Sequence, residues 1–262
     1  MGVTRANIGY HIANMKDHRR LIAGETGGAG PSPDLWSDCP LLPMMLDPSE
    51  GYYYFSDFMD EVDATTGDGW TITQATSGTL GTVIGVGGEL HLSAGAATAD
   101  QGVNAQLLNC CVKPTADKDI WFEARIQVSH VDNQIFVGVA STDTTLIATG
   151  ALDEANPSSI GFFTDVNSSS GKGGIISQKA GSNDTTEDVV TVSATTWTNL
   201  GFKVEGVSRV IFYQDGAIIG QVTDTNDIAD AVEMALSLVC QNEDGANTNT
   251  LKVDWLRIAQ LR

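Results

Sequence analysis

The chain has 262 residues, 42% of them hydrophobic, and a formal net charge of −19. This length and apolar content are sufficient for one large domain with its own core, whereas an acidic body disfavours binding to nucleic acid or to an anionic membrane. No apolar run approaches the ~20 residues that a membrane-spanning helix needs, so we expect neither a nucleic-acid partner nor a membrane partner.

Residues 1–51 differ in composition from the rest of the chain and are predicted to form an N-terminal arm. Residues 7–21 are compatible with one short helix, which the glycine-rich stretch after it would end. The prolines between residues 33 and 48 predict mostly extended backbone. The first twenty residues lack the apolar stretch of a secretory signal, so we expect synthesis in a cytoplasm.

Large apolar side chains accompany the prolines of the arm. A flexible linker would be polar, because exposed apolar side chains gain nothing in water. The arm therefore either packs on its own domain as a tethered terminus or binds a neighbouring subunit, and we favour the second interpretation. The residues predicted to bind the partner are Trp36, Leu41, Leu42, Met44, Met45 and Leu46.

From residue 52 onwards the sequence predicts a succession of β-strands. Ile120–Val128 alternates apolar and polar side chains, which is typical of a strand with one buried face. Residues 209–214 and 217–222 form a hairpin around Asp215-Gly216, since this pair tolerates the positive φ angles of a two-residue type I′ turn. The other predicted strands are 69–74, 89–93, 103–111, 134–140, 159–164, 174–178, 188–192, 200–205, 233–240 and 251–258.

This hairpin and its surroundings resemble a known superfamily. A tryptophan that opens a strand (Trp197), an aromatic strand, an Asp-Gly turn and a short apolar return are similar to the concanavalin A-like or laminin-G-like jelly roll. Residues 54–58 followed by Trp70 resemble its opening element, which is also found in phage virion domains, and 251–258 resembles its last strand. The resemblance implies an all-β, antiparallel jelly-roll sandwich over residues 52–262, preceded by the extended arm 1–51.

Candidate catalytic residues are few. Glycan hydrolases on this fold place two or three carboxylates at alternate positions of one strand. Glu61 and Asp63 begin such a pattern, but Thr65 stands where the next glutamate should be, and residues 66–69 have the composition of a loop. The sequence also lacks a nucleophile elbow, a phosphate-binding loop and any cysteine or histidine spacing typical of zinc. We therefore predict that the chain is not an enzyme and has no catalytic, cofactor-binding or metal-binding residues. One alternative is left open, which is calcium bound by loop carboxylates such as those of residues 224–227.

Three function classes remain. We favour a virion structural protein: a decoration or cement protein on the capsid exterior of a tailed bacteriophage, anchored by its arm to the major capsid protein or other shell subunits. A homo-oligomer, trimer or dimer, is expected for such a lattice component. The alternative is a carbohydrate-binding, lectin-like tail or surface module in which Trp121 and Tyr213 stack on sugar rings, and it should show clustered exposed aromatic side chains on one sheet face. A glycan-degrading enzyme is the third class.

Overall fold

The computed structural model describes residues 30–60, 69–74, 78–83, 87–95, 98–108, 112–148, 150–153, 158–230, 232–243 and 247–262. In chain order the elements are α1 (Pro33–Trp36), α2 (Leu41–Leu46), β1 (Gly51–Ser56), β2 (Trp70–Gln74), β3 (Thr79–Val83), β4 (Glu89–Ser93), β5 (Gly102–Leu107), β6 (Ile120–Val128), β7 (Asn133–Ala140), β8 (Ile147–Ala148), β9 (Ala151–Leu152), β10 (Ser159–Thr164), β11 (Lys172–Lys179), β12 (Ser182–Thr191), β13 (Thr198–Glu205), β14 (Arg209–Gln214), β15 (Ala217–Val222), β16 (Ala235–Asn242) and β17 (Thr250–Leu261).

Two antiparallel sheets form a sandwich, as the jelly-roll prediction requires. Sheet A has the order β15-β14-β13-β6-β17-β4-β3, and β1 also pairs with β17. Sheet B has the order β12-β11-β10-β7-β16-β5-β2, and the short strands β8 and β9 form a separate hairpin. The prediction of an all-β, antiparallel jelly-roll sandwich is confirmed.

The core lies between the two sheets and is built from the alternating positions of their strands. Phe122 on β6 stacks on Phe202 of β13 with ring centroids 4.8 Å apart. Phe212 of β14 meets Phe162 of β10, in the other sheet, edge to face at 5.5 Å. Such aromatic pairs add to the free energy gained from burial, and the Phe212–Phe162 pair joins sheet A to sheet B.

The turn between β14 and β15 has the predicted backbone. Asp215 and Gly216 have φ angles of 50° and 82°, the two positive values that a type I′ turn requires. The Asp-Gly pair accommodates them with little strain, because glycine has no Cβ and aspartate tolerates the left-handed region. The prediction of this hairpin is confirmed.

Strand β3 and the two-residue strands β8 and β9 were not predicted, β1 was anticipated only as the opening element at 54–58, and several strands, β12 most of all, are longer than predicted. β1 escapes a search for alternation because aromatic residues occupy four consecutive positions, Tyr52 to Phe55, and β3 combines glycine and threonine with few apolar residues. β12 begins at Ser182, six residues before the predicted start, because its first half is polar and half-buried at a sheet edge. The last residues of the predicted strand 103–111 are partly outside the described residues.

The described part of the arm is not extended, contrary to the prediction. Residues 33–46 hold the two short helices α1 and α2 instead. Pro33 is the first residue of α1, and Pro43 lies in the first turn of α2, where a backbone N–H would have no partner within the helix. Proline is therefore compatible with both helices. The helix predicted at 7–21 lies outside the described residues, and in the part of the chain that is described no helix is long and apolar enough to cross a membrane.

Candidate functional site on the outer face of sheet A

The outer face of sheet A, which points away from the core, brings together residues from five strands. The pairing register aligns β1, β17, β6, β13 and β14 side by side. One row across these strands consists of Phe55, Arg257, Glu123, Gly201 and Tyr213, and the next row consists of Tyr53, Ala259, Trp121, Lys203 and Ile211. This face therefore carries aromatic, acidic and basic side chains within one or two strand spacings of each other.

Residues 30–47, which we call the strap, cross this face and cover its centre. Leu35, Trp36 and Met44 of the strap are buried in one cluster with Trp121 and Tyr213 of the sheet. Leu35 fills a recess above Gly201, where a methyl group would lie 2.5 Å from Cδ2 of Leu35. Glycine at position 201 is therefore what allows the strap to approach the sheet.

Glu123 is the central polar contact of the strap, and its side chain is only 1% exposed. Its Oε1 accepts the backbone N–H of Ser32 at 2.9 Å, and its Oε2 accepts the indole N–H of Trp36 at 2.7 Å. Arg257 Nη2 lies 3.3 Å from Oε2, and the Arg257 guanidinium is 3.6 Å from the centroid of the Trp36 ring. A buried carboxylate requires such partners, and here two of the three donors belong to the strap.

Burial raises the pKa of Glu123, although Arg257 and the donors on Ser32 and Trp36 act in the opposite direction. Desolvation disfavours the charged form of a carboxyl group. The folded chain therefore binds a proton at Glu123 more readily than the unfolded chain does.

A second polar cluster joins the strap to the next row of the sheet. Asp38 accepts a hydrogen bond from Lys203 Nζ at 2.5 Å and one from Trp121 Nε1 at 3.0 Å. Burial acts to raise the pKa of Asp38, but the contacts with Lys203 and Trp121 outweigh it and lower the pKa. Lys203 also lies 3.4 Å from Asp119 and 3.3 Å from Glu205, so one ammonium group is shared by three carboxylates.

The two residues predicted to stack on sugars lie beneath the strap. Trp121 is 1% exposed and Tyr213 8% exposed, both within the cluster that contains Leu35 and Trp36. The prediction that Trp121 and Tyr213 offer their rings to a glycan is corrected here, because the strap occupies the space that a sugar would need.

The six arm residues predicted to bind a partner divide into two groups. Trp36 and Met44 are buried on the chain's own sheet, so their assignment to a partner is corrected in favour of the alternative that the arm packs on its own domain. Met44 approaches β1 so closely that a methyl group at Gly51 would lie 2.8 Å from its Cε. Leu41 is half-buried, whereas Leu42, Met45 and Leu46 are exposed.

Two exposed aromatic residues on β1 were missed by sequence reasoning. Tyr53 is 43% exposed and Phe55 53% exposed, while Tyr52 and Tyr54, at the alternate positions, pack against the core. Tyr53 and Phe55 therefore share the outer face, about 7 Å apart along the strand. The sequence does not show how β1 pairs with β17, and this pairing decides which aromatic residues of the run 52–55 face outwards.

Charged groups lie beside this aromatic pair. Phe55 is aligned with Arg257, and Trp255 precedes Arg257 on the same strand face. Trp255 is aligned in turn with Arg125, which is paired with Asp254 at 2.5 Å and lies 4.7 Å from the centroid of the Trp197 ring. In the described part of the chain, the flank beside the strap therefore exposes Tyr53 and Phe55, while Trp255 is buried, and it includes one partly exposed ion pair.

Strand β6 places no second carboxylate next to Glu123, and the carboxylates of Asp38, Asp119 and Glu205 are paired with Lys203. A metal site is not found in the described part of this face either. Glu123 is flanked on β6 by Trp121 and Arg125, so the alternate outward positions hold no second carboxylate. Glu61 and Asp63 lie outside the described residues. Among the described residues, no group of three or more His, Cys, Asp or Glu side chains is placed to hold a metal ion. Residues 224–227, where calcium was left open as an alternative, do not form such a group either.

Part of the outer face of sheet B is covered by a different segment, described at residues 141–148 and 150–153. Leu146, Ile147 and Leu152 of this segment pack on Phe136 and Phe163 of the sheet in an apolar cluster. At its start the segment is also tied to the side chains of β5, which donate hydrogen bonds to the backbone carbonyls of residues 141 and 143. Among the described residues, the flank of sheet A carries the exposed aromatic side chains Tyr53 and Phe55.

Comparisons with known proteins show the fold. No protein-family model and no curated protein matches the sequence. Among solved structures, an endo-1,3-beta-glucanase from Streptomyces sioyaensis is 11% identical with a TM-score of 0.55, over 82% of this chain and 98% of that chain. Peanut lectin is 10% identical with a TM-score of 0.54, over 81% and 99%. A beta-1,3-1,4-glucanase (lichenase) derived from a mouse hindgut metagenome is 11% identical with a TM-score of 0.51, over 79% and 98%.

The fold is thus the concanavalin A-like jelly roll that lectins and glucanases share. The prediction that the chain is not an enzyme, which rested on the missing catalytic motifs, is wrong in the light of these structures, because two of the three just named are glucanases. At 10–11% identity the likeness shows the fold alone, and a fold does not by itself assign an activity.

Proposed function

We propose that the chain is a carbohydrate-binding, lectin-like protein whose glycan contacts the aromatic pair Tyr53 and Phe55. The observation that carries this proposal is the exposure of both rings on one face of β1, in a fold that a lectin and glucanases share. Clustered exposed aromatic side chains on one sheet face are what a lectin-like module should show. The pair lies at a different position from Trp121 and Tyr213.

The chemistry of the flank suits a sugar ring. An aromatic ring packs against the C–H face of a pyranose, and the Tyr53 hydroxyl adds a polar group at the rim of the contact. The Arg125–Asp254 pair, with side chains 17% and 25% exposed, offers donors and acceptors to sugar hydroxyls on the same face. A small number of polar groups beside an apolar surface is the usual composition of a ligand site.

The test is a glycan array probed with the full chain, followed by calorimetric titration of the strongest hit. The double variant Tyr53→Ala/Phe55→Ala should weaken binding about tenfold or more for each ring lost, where tenfold corresponds to about 1.4 kcal/mol. Ile218→Ala is the matched control, since Ile218 is an exposed apolar side chain on β15, at the opposite edge of sheet A. The release of reducing ends is measured in the same samples, because glucanases share the fold.

The proposal is contradicted by an array without hits. It is equally contradicted if the double variant binds the glycan as tightly as the wild type, or if Ile218→Ala weakens binding as much as the double variant does.

A second candidate is attachment to the capsid exterior of a tailed phage through the arm. It is supported by one observation: Leu42, Met45 and Leu46 are exposed and lie on one side of α2 at positions i, i+3 and i+4. The proposed partner is the major capsid protein or another shell subunit. Co-sedimentation with capsids should be lost in Leu42→Ser/Met45→Ser/Leu46→Ser, and retention of binding in this variant would exclude the α2 contact.

A further inference from the structure

The groove beneath the strap is built for one particular segment. Its contacts with residues 30–47 combine the two donors to Glu123, the recess above Gly201 for Leu35, and the pairing of Asp38 with Lys203. Asn199 Nδ2 also donates to the carbonyl oxygen of residue 30 at 2.9 Å. Each contact recognises a different feature of the segment, so the occupant that fits this groove is the strap itself.

The connection between the strap and the sandwich is short and held mainly by local bonds. Residues 47–50 form an exposed turn between α2 and β1. Within it Asp47 accepts hydrogen bonds from the N–H and hydroxyl of Ser49, and the N–H of Glu50 donates to the carbonyl oxygen of Asp47. The contact of this turn with the C terminus is the bond from the Arg262 N–H to the Glu50 carbonyl. Once the contacts of the strap with the groove have separated, a change of backbone direction in this turn would carry the strap away while leaving β1 paired with β17.

Exposed apolar side chains are concentrated next to this turn. Met45 and Leu46 immediately before it are 54% and 78% exposed. Large apolar side chains exposed in a group mark an interaction surface more often than isolated ones do. Where two copies exchange a segment, the residues beside the hinge meet in a new interface, and exchange of an identical element is a low-cost route to a dimer.

We propose that the groove on sheet A also accepts the strap of a second copy of this chain, so that two copies exchange residues 30–47. The closed monomer and the exchanged dimer make the same strap contacts. High protein concentration and the added contacts at the hinge therefore favour the dimer, whereas the high effective concentration of the tethered strap favours the monomer. The exposed side of α2 formed by Leu42, Met45 and Leu46 would then contact the second copy instead of a capsid.

The test mixes two full-length variants with complementary defects. Leu35→Ser/Trp36→Ala has a defective strap and an intact groove, and Glu123→Ala has an intact strap and a defective groove. The two are unfolded together in denaturant, refolded together at high concentration and examined by native mass spectrometry. We expect a 1:1 heterodimer in the mixture and monomers when each variant is refolded alone.

The matched control replaces the second variant with Leu35→Ser/Trp36→Ala/Glu123→Ala, in which only the intact strap has been removed, and this mixture should remain monomeric. Circular dichroism verifies that every variant refolds. If Glu123→Ala does not refold, Glu123→Gln takes its place, since it keeps the shape of the side chain and removes the charge. A mixture of refolded variants that contains only monomers, or a control that forms the same heterodimer, overturns the proposal.

Discussion

The outer faces of the two sheets are each partly covered by a segment of the chain, but the covers differ in chemistry. On sheet A the strap is held by the buried carboxylate of Glu123 together with Leu35 and Trp36. On sheet B the segment described at 141–148 and 150–153 is held mainly by an apolar cluster around Phe136 and Phe163. An apolar contact is indifferent to protonation, whereas a buried carboxylate depends on its donors and on its charge. The strap should therefore be the more specific and the more pH-dependent of the two covers.

The largest expected effect is that of Glu123→Ala. This change leaves Arg257, the Trp36 indole and the Ser32 N–H without their shared acceptor. Removing one partner of a buried ion pair costs about 3–5 kcal/mol, and we expect a loss of that size in the free energy of unfolding measured with urea. Limited proteolysis should also cut within residues 30–47 sooner than in the wild type.

The matched change on sheet B is Leu146→Ala. Leu146 is fully buried in the apolar cluster, so its truncation should cost roughly 2–5 kcal/mol without faster cleavage of the strap. If Leu146→Ala accelerates strap cleavage as much as Glu123→Ala does, the two covers are not independent and the comparison fails.

An intermediate effect is expected from pH. Because the pKa of Glu123 is raised from its ordinary value of 4.5, the folded chain holds this proton more tightly than the unfolded chain. The stability contributed by protonation is fully present below pH 4.5 and is lost as the pH rises through the raised pKa, by at most about 1.4 kcal/mol per pH unit. Urea midpoints of the wild type and of Glu123→Gln, measured over this range, should differ in slope. Parallel pH curves for the two proteins would show that Glu123 does not titrate in this way.

The smallest effect is expected from Asp38→Asn. Asp38 is paired with Lys203, but its side chain is 53% exposed, and exposed ion pairs contribute about 0–1 kcal/mol. Because the pKa of Asp38 is lowered from 3.8, its contribution is present above pH 3.8 and is lost as the pH falls through the lowered value. The loss of unfolding free energy at neutral pH should thus stay below about 1 kcal/mol. A loss as large as that of Glu123→Ala would place the main strap contact at Asp38.

The fold could be predicted from local patterns, but the covered and open parts of sheet A could not. Ile120–Val128 has an apolar residue at every second position, and Asp215-Gly216 favours its turn, so both elements could be predicted from neighbouring residues alone. The strap contact joins Ser32 to Glu123, 91 residues apart, and no local pattern contains such a pairing. The face of Tyr53 and Phe55 depends in the same way on the register of β1 against β17, which lies at the other end of the described chain.

The central claim, that the open flank of sheet A binds glycan, is tested most directly by hydroxyl-radical footprinting with the strongest glycan from the array. At saturating glycan, oxidation of Tyr53 and Phe55 should fall several-fold, while Leu108 and Ile218, which are exposed on other strands or loops, should be oxidised at the same rate as in the free protein. Unchanged oxidation of Tyr53 and Phe55 at saturating glycan would contradict the account.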